Sequence, residues 1–454
     1  MVQWSRHSSL TSEFVDNITH SLAGLLLAGT AVTLRSRKVA GTTDDRQFAT
    51  VAALTGVVGA NLPDIDVLWS AILQAMGVYD DLLSLLHHRG YTHTVLAALC
   101  FIPLLWQGAV WMRRRQQRDT VTSAPERTAD SSTLLGLAIV AVLSHVTLDF
   151  TNDYGVHPLS PFVNAWTYGD SMFIIEPWLW VAAVPMLLRI TERRWLRGLL
   201  WCLLMLGLAL SWAVPQVSLP AAIIVTMGAA LWILVSRGVA RNTAPFTGIA
   251  MWVIVTVLFA SGTYAVRSAV RGVHRASSQN EASFGTGRLV DVMTSPSPAN
   301  PLCARVITVE TTRDTYRLTT AWGSALPSLV SASWCSAAVG TDTTRGAQTL
   351  PMQRASRPRT AAIDWHWTWQ APRAELVQLA RENCRVSAWL RFVRAPFWVR
   401  GVAGDSLRVG DLRYDRERVS VAAFTFAERT GDCPQWVPPW TRPRDGASSA
   451  DGAD

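Results

Sequence analysis

Lysine is all but missing from this chain. Lys38 is the only one in 454 residues, so a formal charge of +8 rests on arginine. A basic balance is compatible with nucleic-acid binding, but these arginines sit in short loops between apolar blocks. That is the positive-inside pattern of a membrane protein, and no nucleic-acid partner is expected. A cleavable leader is missing too. The first 17 residues are polar, and no small-residue cleavage site follows the first apolar block, which is therefore read as a retained span. Of the six cysteines, Cys100 and Cys202 fall inside apolar blocks and read as plain packing, while Cys303, Cys335, Cys384 and Cys433 lie in the last third. None adjoins the His and Asp segments described below, which excludes thiolate metal chemistry there.

What is present is apolar surface in quantity. Close to half of the residues are hydrophobic, and 21 tryptophans fit a protein that meets a membrane interface. Up to about Arg271 the apolar residues come in blocks long enough to cross a bilayer. Eight spans are read, at 18–34, 47–62, 94–112, 133–150, 172–188, 198–214, 219–236 and 246–266. The segment 67–78 is too short to cross and reads as re-entrant or interfacial. Beyond Arg271 charge, Ser, Thr and Pro rise. Residues 272–300 read as a linker, 301–440 as a soluble, strand-rich α+β domain, and 441–454 as a disordered tail. The fold class is thus an α-helical polytopic membrane domain, 1–271, followed by an extracytoplasmic α+β domain. In the latter "ARVITVETTRDTYRLTTAW" (304–322) alternates as two strands around a polar turn, and a helix is expected near "AELVQLARENC". "DWHWTWQ" (364–370) reads as a core or interfacial strand, with His366 a minor ligand candidate. The four cysteines here allow one or two disulfides in three pairings, or free buried thiols.

Arginine placement sets sidedness. Arg35, Arg37, Lys38 and Arg46 follow span one; Arg113, Arg114, Arg115, Arg118 and Arg127 separate spans three and four. Arg189, Arg193, Arg194 and Arg197 follow span five, and Arg237 and Arg241 follow span seven. The alternate connections carry Arg89 alone, so the arginine-rich loops are expected in the cytoplasm and both termini outside, in the inner membrane of a bacterium. Arg267, Arg271 and Arg275, after the last span, disagree with this scheme.

The orientation gathers His and Asp residues on one side. His20, the turn "NLPDID" (61–66), "HHRGYTH" (87–93) and "SHVTLDF" (144–150) all fall at outer ends of their spans. His145 and Asp149 are spaced i, i+4 and so share a helical face. Pro63 ends span two and lets the turn aim Asp64 and Asp66 at one centre. Gly90 permits a bend between His88 and His93, and His20 follows Asp16 and Asn17, read as a capping pair. The candidate metal ligands are therefore His20, Asp64, Asp66, His88, His93, His145 and Asp149. Mixed imidazole and carboxylate donors suit a divalent metal: zinc first, with manganese and iron(II) as alternatives. Seven candidates exceed a closed tetrahedral site, which implies two metals or one metal with supporting carboxylates. Each piece has a plainer reading. An H-x-x-x-D pair is often only hydrogen-bonded, Pro-Asp turns are common, and His87 reads as a satisfied interfacial histidine. Arg89 is equally a lipid-phosphate contact, and Asn152, Asp153 and His157 are turn formers.

"DNITHSLAG", "NLPDID", "HHRGYTHT" and "SHVTLDFTNDYGVHPLSPF", in that order, resemble the YdjM/YbcI-type family of membrane-bound, metal-dependent hydrolases over about residues 14–165. The matching positions are Asp16 and His20; Pro63, Asp64 and Asp66; and His88, Arg89, Gly90, Thr92 and His93. The last segment contributes His145, Asp149, Asn152, Tyr154, Gly155, Pro161 and Phe162. The His/Asp set is also loosely similar to that of zinc-dependent phospholipase C enzymes. The resemblance implies a metal-dependent hydrolase in which metal-activated water attacks. Asp66 or Asp149 is then the general base, and Arg89 a catalytic phosphate contact. A site level with outer headgroups points to membrane lipids or lipid-linked phosphoesters as substrate. The alternatives are a non-catalytic metal-binding protein displaying its C-terminal domain and, less favoured, a transporter, whose sites usually lie nearer the bilayer midplane.

Overall fold

A computed structural model describes residues 5–38, 45–118, 123–279, 287–339, 350–401, 406–414, 423–427 and 433–443. The N-terminal part is helical: α1 (Ser5–Lys38), α2 (Asp45–Gly59), α3 (Ile65–Ala75), α4 (Asp81–His87), α5 (Val95–Gln116), α6 (Ala124–Thr151), α7 (Pro177–Ile190), α8 (Arg194–Ala213), α9 (Leu219–Gly238) and α10 (Ala244–Gln279). Six of these helices are long and apolar enough to cross a membrane. The pair Arg46–Gly59 and Leu62–Ala75, bent by 52°, makes a seventh if counted as one broken span. The outward faces of α5, α8 and α9 expose Leu99, Leu104, Met205, Met227 and Leu231, as lipid-facing helices do. Cys100 and Cys202, expected in packed positions, are exposed on the helices too.

The expected count of eight gives way at 172–188. There the helix, α7, has only 14 residues, about 21 Å at 1.5 Å per residue, short of a hydrocarbon core. It is apolar on every side because it is buried on every side, packed among α1, α8, α9 and α10. Trp180 Nε1 donates to Thr19 Oγ1 and Ile190 reaches Gly29, so α7 runs alongside α1 and still takes the chain from one end of the bundle to the other, within protein rather than lipid. Its N-cap, Glu176, accepts from Trp178 N and Ala299 N; near its other end Arg189 donates to Val239 O.

Helices α1 and α2 cross at glycines. A Cβ on Gly24 would lie 2.3 Å from Gly56 O, and one on Gly56 2.2 Å from Gly24 O, so only paired glycines allow this contact. Arg35 and Arg113, expected as loop charges, lie within α1 and α5 and are buried. Arg35 Nε is 2.5 Å from Asp130 Oδ1, and its Nη2 is 3.2 Å from Glu126 Oε1. Arg113 Nε is 2.7 Å from Asp130 Oδ2. These pairs tie α1, α5 and α6 together at the end away from the His/Asp segments.

The C-terminal part is strand-rich. β1 (Arg288–Ser297), β2 (Asn300–Thr311), β3 (Thr315–Ser324), β4 (Gln353–Arg354) and β5 (Ile363–Pro372) form an antiparallel sheet in the order β1-β2-β3-β5-β4. β6 (Pro396–Arg400), β7 (Ser406–Asp411) and β8 (Phe424–Ala427) form a second sheet. Among the described residues three short helices, α11 (Ala332–Val339), α12 (Arg373–Glu382) and α13 (Cys384–Trp389), accompany the sheets. Disulfides join Cys303 to Cys335 and Cys384 to Cys433. Trp365 and Trp369 are buried on β5, as a core strand requires, while His366 meets only Asp364 and Ser336.

The expected linker at 272–300 is largely helix and strand. α10 runs on to Gln279, and Val266 and Val270 pack on the sheet against Val292, Val306 and Trp365. Residues 280–286 and the tail from 444 lie outside the described residues. This continuity also accounts for Arg267. Its Nη2 lies 2.6 Å from Asp170 and its Nε bonds Thr294, so it is a structural cation rather than a topogenic one.

Candidate metal centre

Four chain segments meet at the end of α6 remote from Asp130. Asp16 and His20 come from α1, one turn before the glycine crossing. Both lie inside the helix, which begins at Ser5, so Asp16 is not a cap. Asp64 ends the 3₁₀ turn Leu62–Asp64 at the α2–α3 bend, where Pro63 interrupts the helix, and Asp66 opens α3. His88, Arg89 and His93 come from the loop after α4; His145 and Asp149 project one turn apart from α6.

The core of the site is Asp64, His93, His145 and Asp149. His93 Nε2 lies 3.0 Å from His145 Nε2, 3.4 Å from Asp64 Oδ1 and 2.9 Å from Asp149 Oδ2. His145 Nε2 is 3.3 Å from each of the same two oxygens. Zinc bonds of about 2.0–2.2 Å set tetrahedral donors roughly 3.3–3.6 Å apart, so these separations are close to those of a four-coordinate ion. The protons agree. His145 Nδ1 lies 2.7 Å from Ala60 O, which holds the proton on Nδ1. Thr92 Oγ1 donates to Asp66 Oδ2 at 3.1 Å and accepts from His93 Nδ1 at 2.9 Å. In those tautomers both Nε2 atoms present lone pairs to each other and to two carboxylates. Four electron-pair donors converge with no proton to share, and Asp149 Oδ2 is buried without a hydrogen bond.

Two further donor sets adjoin this one. Asp16, His20 and Asp149 form the first, with His20 Nε2 3.3 Å from Asp149 Oδ1 and 3.7 Å from Asp16 Oδ1. The second is Asp64, Asp66 and His88, with His88 Nδ1 3.6 Å from Asp66 Oδ1. In each set the donor atoms lie within 4.8 Å of one another. All seven expected ligands are therefore brought together, and Asp16 joins them. The expectation that Asp64 and Asp66 aim at one centre is met only in part. Asp64 reaches the central set, whereas Asp66 turns toward His88, Arg89 N and Thr92.

Arg89 sits at the centre of the charge balance. Its guanidinium is buried, 2.8 Å from Asp16 Oδ2 and 3.2 Å from Asp149 Oδ1, and packs over Tyr154. It faces two carboxylates rather than an open cleft, so it reads as a brace for Asp16 and Asp149. Its φ of 56° puts the left-handed residue at Arg89, not at Gly90. The 2.9 Å bond from Arg89 N to Asp66 Oδ2 holds that conformation, which costs about 1 kcal/mol or more in a non-glycine residue. Gly90 is needed for another reason: a Cβ there would meet Trp440 at 2.8 Å and His87 O at 2.9 Å. Four carboxylates against one guanidinium leave a formal charge of −3 with neutral imidazoles. Burying that beside hydrocarbon calls for compensating positive charge, which protonated imidazoles or one or two divalent ions would supply.

The C-terminal domain covers this end. Leu82, Leu85, Leu86 and Trp166 share one core with Trp389, Phe392 and Trp440. Trp440 Nε1 donates to Leu86 O, and His87 Nε2 lies 2.8 Å from Trp436 O, outside the donor sets. His157, expected as a turn former, is buried between Trp166 and Trp440. Burial holds its imidazole neutral, with a pKa of about 3. Asn152 does cap the following turn through Tyr154 N. Asp64, Asp66 and His88, at 10–14% side-chain exposure, and Asp16, at 11%, are the more accessible members of the centre, against 0–1% for His20, His93, His145 and Asp149.

A multi-pass membrane protein with a buried His/Asp cluster at one end of its helical bundle is the class that fold and site define. Comparison adds one likeness: residues 15–218 match the model described as YdjM inner membrane protein, which bears out the YdjM-type resemblance read from the motifs. No curated protein and no solved structure matches the chain. The matched segment ends before α9, so α9, α10 and the strand-rich domain lie outside it.

Proposed function

We propose that this protein is an integral-membrane, metal-dependent hydrolase whose site lies at the outer membrane–water interface and acts on a lipid or lipid-linked phosphoester. The observation that carries the metal is the converging lone-pair set of Asp64, His93, His145 and Asp149, at separations suited to one ion. Zinc fits the donors best, with manganese or iron(II) admissible. Two features support the outer location. Both disulfides lie in the C-terminal domain, as expected of an oxidising compartment, and the arginine-rich loops lie at the opposite end of the bundle. Both termini are then extracytoplasmic.

When bound, a divalent ion supplies Lewis acidity and lowers the pKa of water toward about 7. The chain's own residues do the rest. Ala60 O and Thr92 fix the ring tautomers of His145 and His93. Arg89 holds Asp16 and Asp149 in place. Asp66, at the accessible edge, is positioned by Arg89 N and the Thr92 hydroxyl to take a proton as general base. The exposed apolar side chains of α3, Leu68, Trp69 and Ile72, lie on the helix that carries Asp66 and suit contact with acyl chains.

A second reading, a non-catalytic metal-binding protein, is favoured by one observation: the central donors are almost wholly buried beneath the C-terminal domain, as in closed structural sites. Purified protein decides between them. A hydrolase holds stoichiometric metal and turns over a phosphoester or phospholipid, and both properties are lost in Asp64→Ala and His93→Ala. Metal retained with no turnover of either substrate class leaves the non-catalytic reading, and a wild type without metal defeats both.

A further inference from the structure

The connection that follows α6 is built without charge. From Tyr154 to Gly169 there is no Asp, Glu, Lys or Arg, and the one histidine, His157, is buried. At its tip Leu159, Pro161, Phe162 and Val163 are exposed, Phe162 to 87%, while the hydroxyl of Ser160 turns inward to Asn164 Oδ1. Polar and flexible residues dominate water-facing turns, and of those this tip has only Pro161 and the inward Ser160. Single exposed apolar side chains are ordinary, but Leu159, Phe162 and Val163 around Pro161 make a patch. The backbone is equally independent of water. Ser160 N donates to His157 O, Phe162 N and Val163 N both donate to Leu159 O, and Pro161 has no N–H. Every N–H from 160 to 163 is thus satisfied within the turn, which can meet an apolar phase without stranding a donor.

Its level in the bundle is fixed as well. Val95 N, at the first residue of α5, donates to Pro158 O at 2.9 Å. α5 has 22 residues, about 33 Å, and carries Arg113, Arg114 and Arg115 in its last turn. Its first turn therefore falls at the edge of a hydrocarbon core of about 30 Å. Val95, Leu96 and Leu99 are exposed there, so the turn adjoins the lipid-facing surface of α5. On its other side Thr441 N, from the strand-rich domain, donates to Asn164 O and ties the turn down. We infer that the turn 158–163 is a membrane-inserted tongue, resting against phospholipid acyl chains at the headgroup boundary. His93 precedes Val95 by two residues, so the tongue sets the His/Asp centre level with lipid headgroups, whether or not that centre is catalytic.

The test is nitroxide accessibility in the full-length protein, reconstituted in vesicles of phosphatidylethanolamine and phosphatidylglycerol. The free cysteines are exchanged, C100S/C202S, and both disulfides are kept. Labels at F162C and, separately, V163C are read against oxygen, which concentrates among acyl chains, and a water-soluble nickel chelate. L99C, on the exposed face of α5, is the lipid standard, and R313C, exposed between β2 and β3, the water standard. Both tongue labels should favour oxygen over nickel as L99C does, with R313C showing the reverse. Nickel accessibility equal to that of R313C would put the tongue in water and overturn the inference. Low accessibility to both reagents, the mark of cover by a second copy or another protein, would overturn it as well.

Discussion

Replacing Thr92 with valine tests the centre through one hydroxyl, leaving every expected metal ligand in place. The wild-type hydroxyl is spent twice, donating to Asp66 and accepting from His93 Nδ1. In the valine variant the volume is kept, but the Nδ1–H of the metal-ready tautomer loses its acceptor. The nearest alternative, Asp66 Oδ2, is 3.7 Å away, beyond hydrogen-bonding distance. A buried donor left unsatisfied costs about 1–3 kcal/mol. The other tautomer escapes this cost only by placing its proton on Nε2, where the ion must bind. Metal affinity should therefore fall by about 5- to 150-fold, since 1.4 kcal/mol corresponds to about tenfold. The assay is competition for zinc against a chelator of known affinity, with Thr92→Ser as the control that restores the hydroxyl. The reasoning is refuted if Thr92→Val binds zinc like the wild type, or if Thr92→Ser fails to recover affinity.

Two other expectations concern the scaffold. Gly56→Ala puts a Cβ 2.2 Å from Gly24 O, so α1 and α2 must part by about 1 Å, which costs roughly 1–3 kcal/mol in an overpacked contact. His20 is carried with α1, so a lower melting temperature and weaker metal binding should appear together; a metal content that is unchanged while stability falls would uncouple them. Burial raises the Glu176 carboxyl to a pKa of about 8 despite its two backbone donors. Its folded pKa lies above the unfolded value, so its contribution to stability is complete below about pH 4.5 and is lost as pH rises through about 8. The melting temperature of wild type should thus fall relative to Glu176→Gln between pH 5 and 8; parallel curves would refute it.

The candidate donor residues are legible in the sequence because each carries a local rule. His145 and Asp149 share a helix face by spacing, Pro63 forces the turn that frees Asp64, and arginine-poor connections put the four segments on one side. Asp16 was read as a cap because a polar pair before an apolar run looks like one. Only the structure, by extending α1 back to Ser5, makes it a partner of Arg89. α7 was read as a span because apolar residues all round a helix mean burial without saying in what, lipid or protein. The linker at 272–300 had the composition of a loop, yet Val266 and Val270 pair with sheet residues many positions away in the chain. Arg267 disturbed the topology for the same reason: its partners, Asp170 and Thr294, are distant in sequence. His157 was unreadable because the two tryptophans that enclose it come from residues 166 and 440.

The indole of Trp440 over Gly90 has one more implication. The candidate ligand residues all fall in the matched segment, but their roof is supplied by residues about 170 to 220 positions beyond it. A chain cut after α10 would leave Leu82, Leu85, Leu86 and Trp166 facing water. The domain that looks appended is therefore part of what makes the metal end of the bundle foldable. Any ligand of that centre must be narrow enough to pass beside its partly exposed carboxylates, or arrive by prising two halves of one hydrophobic core apart.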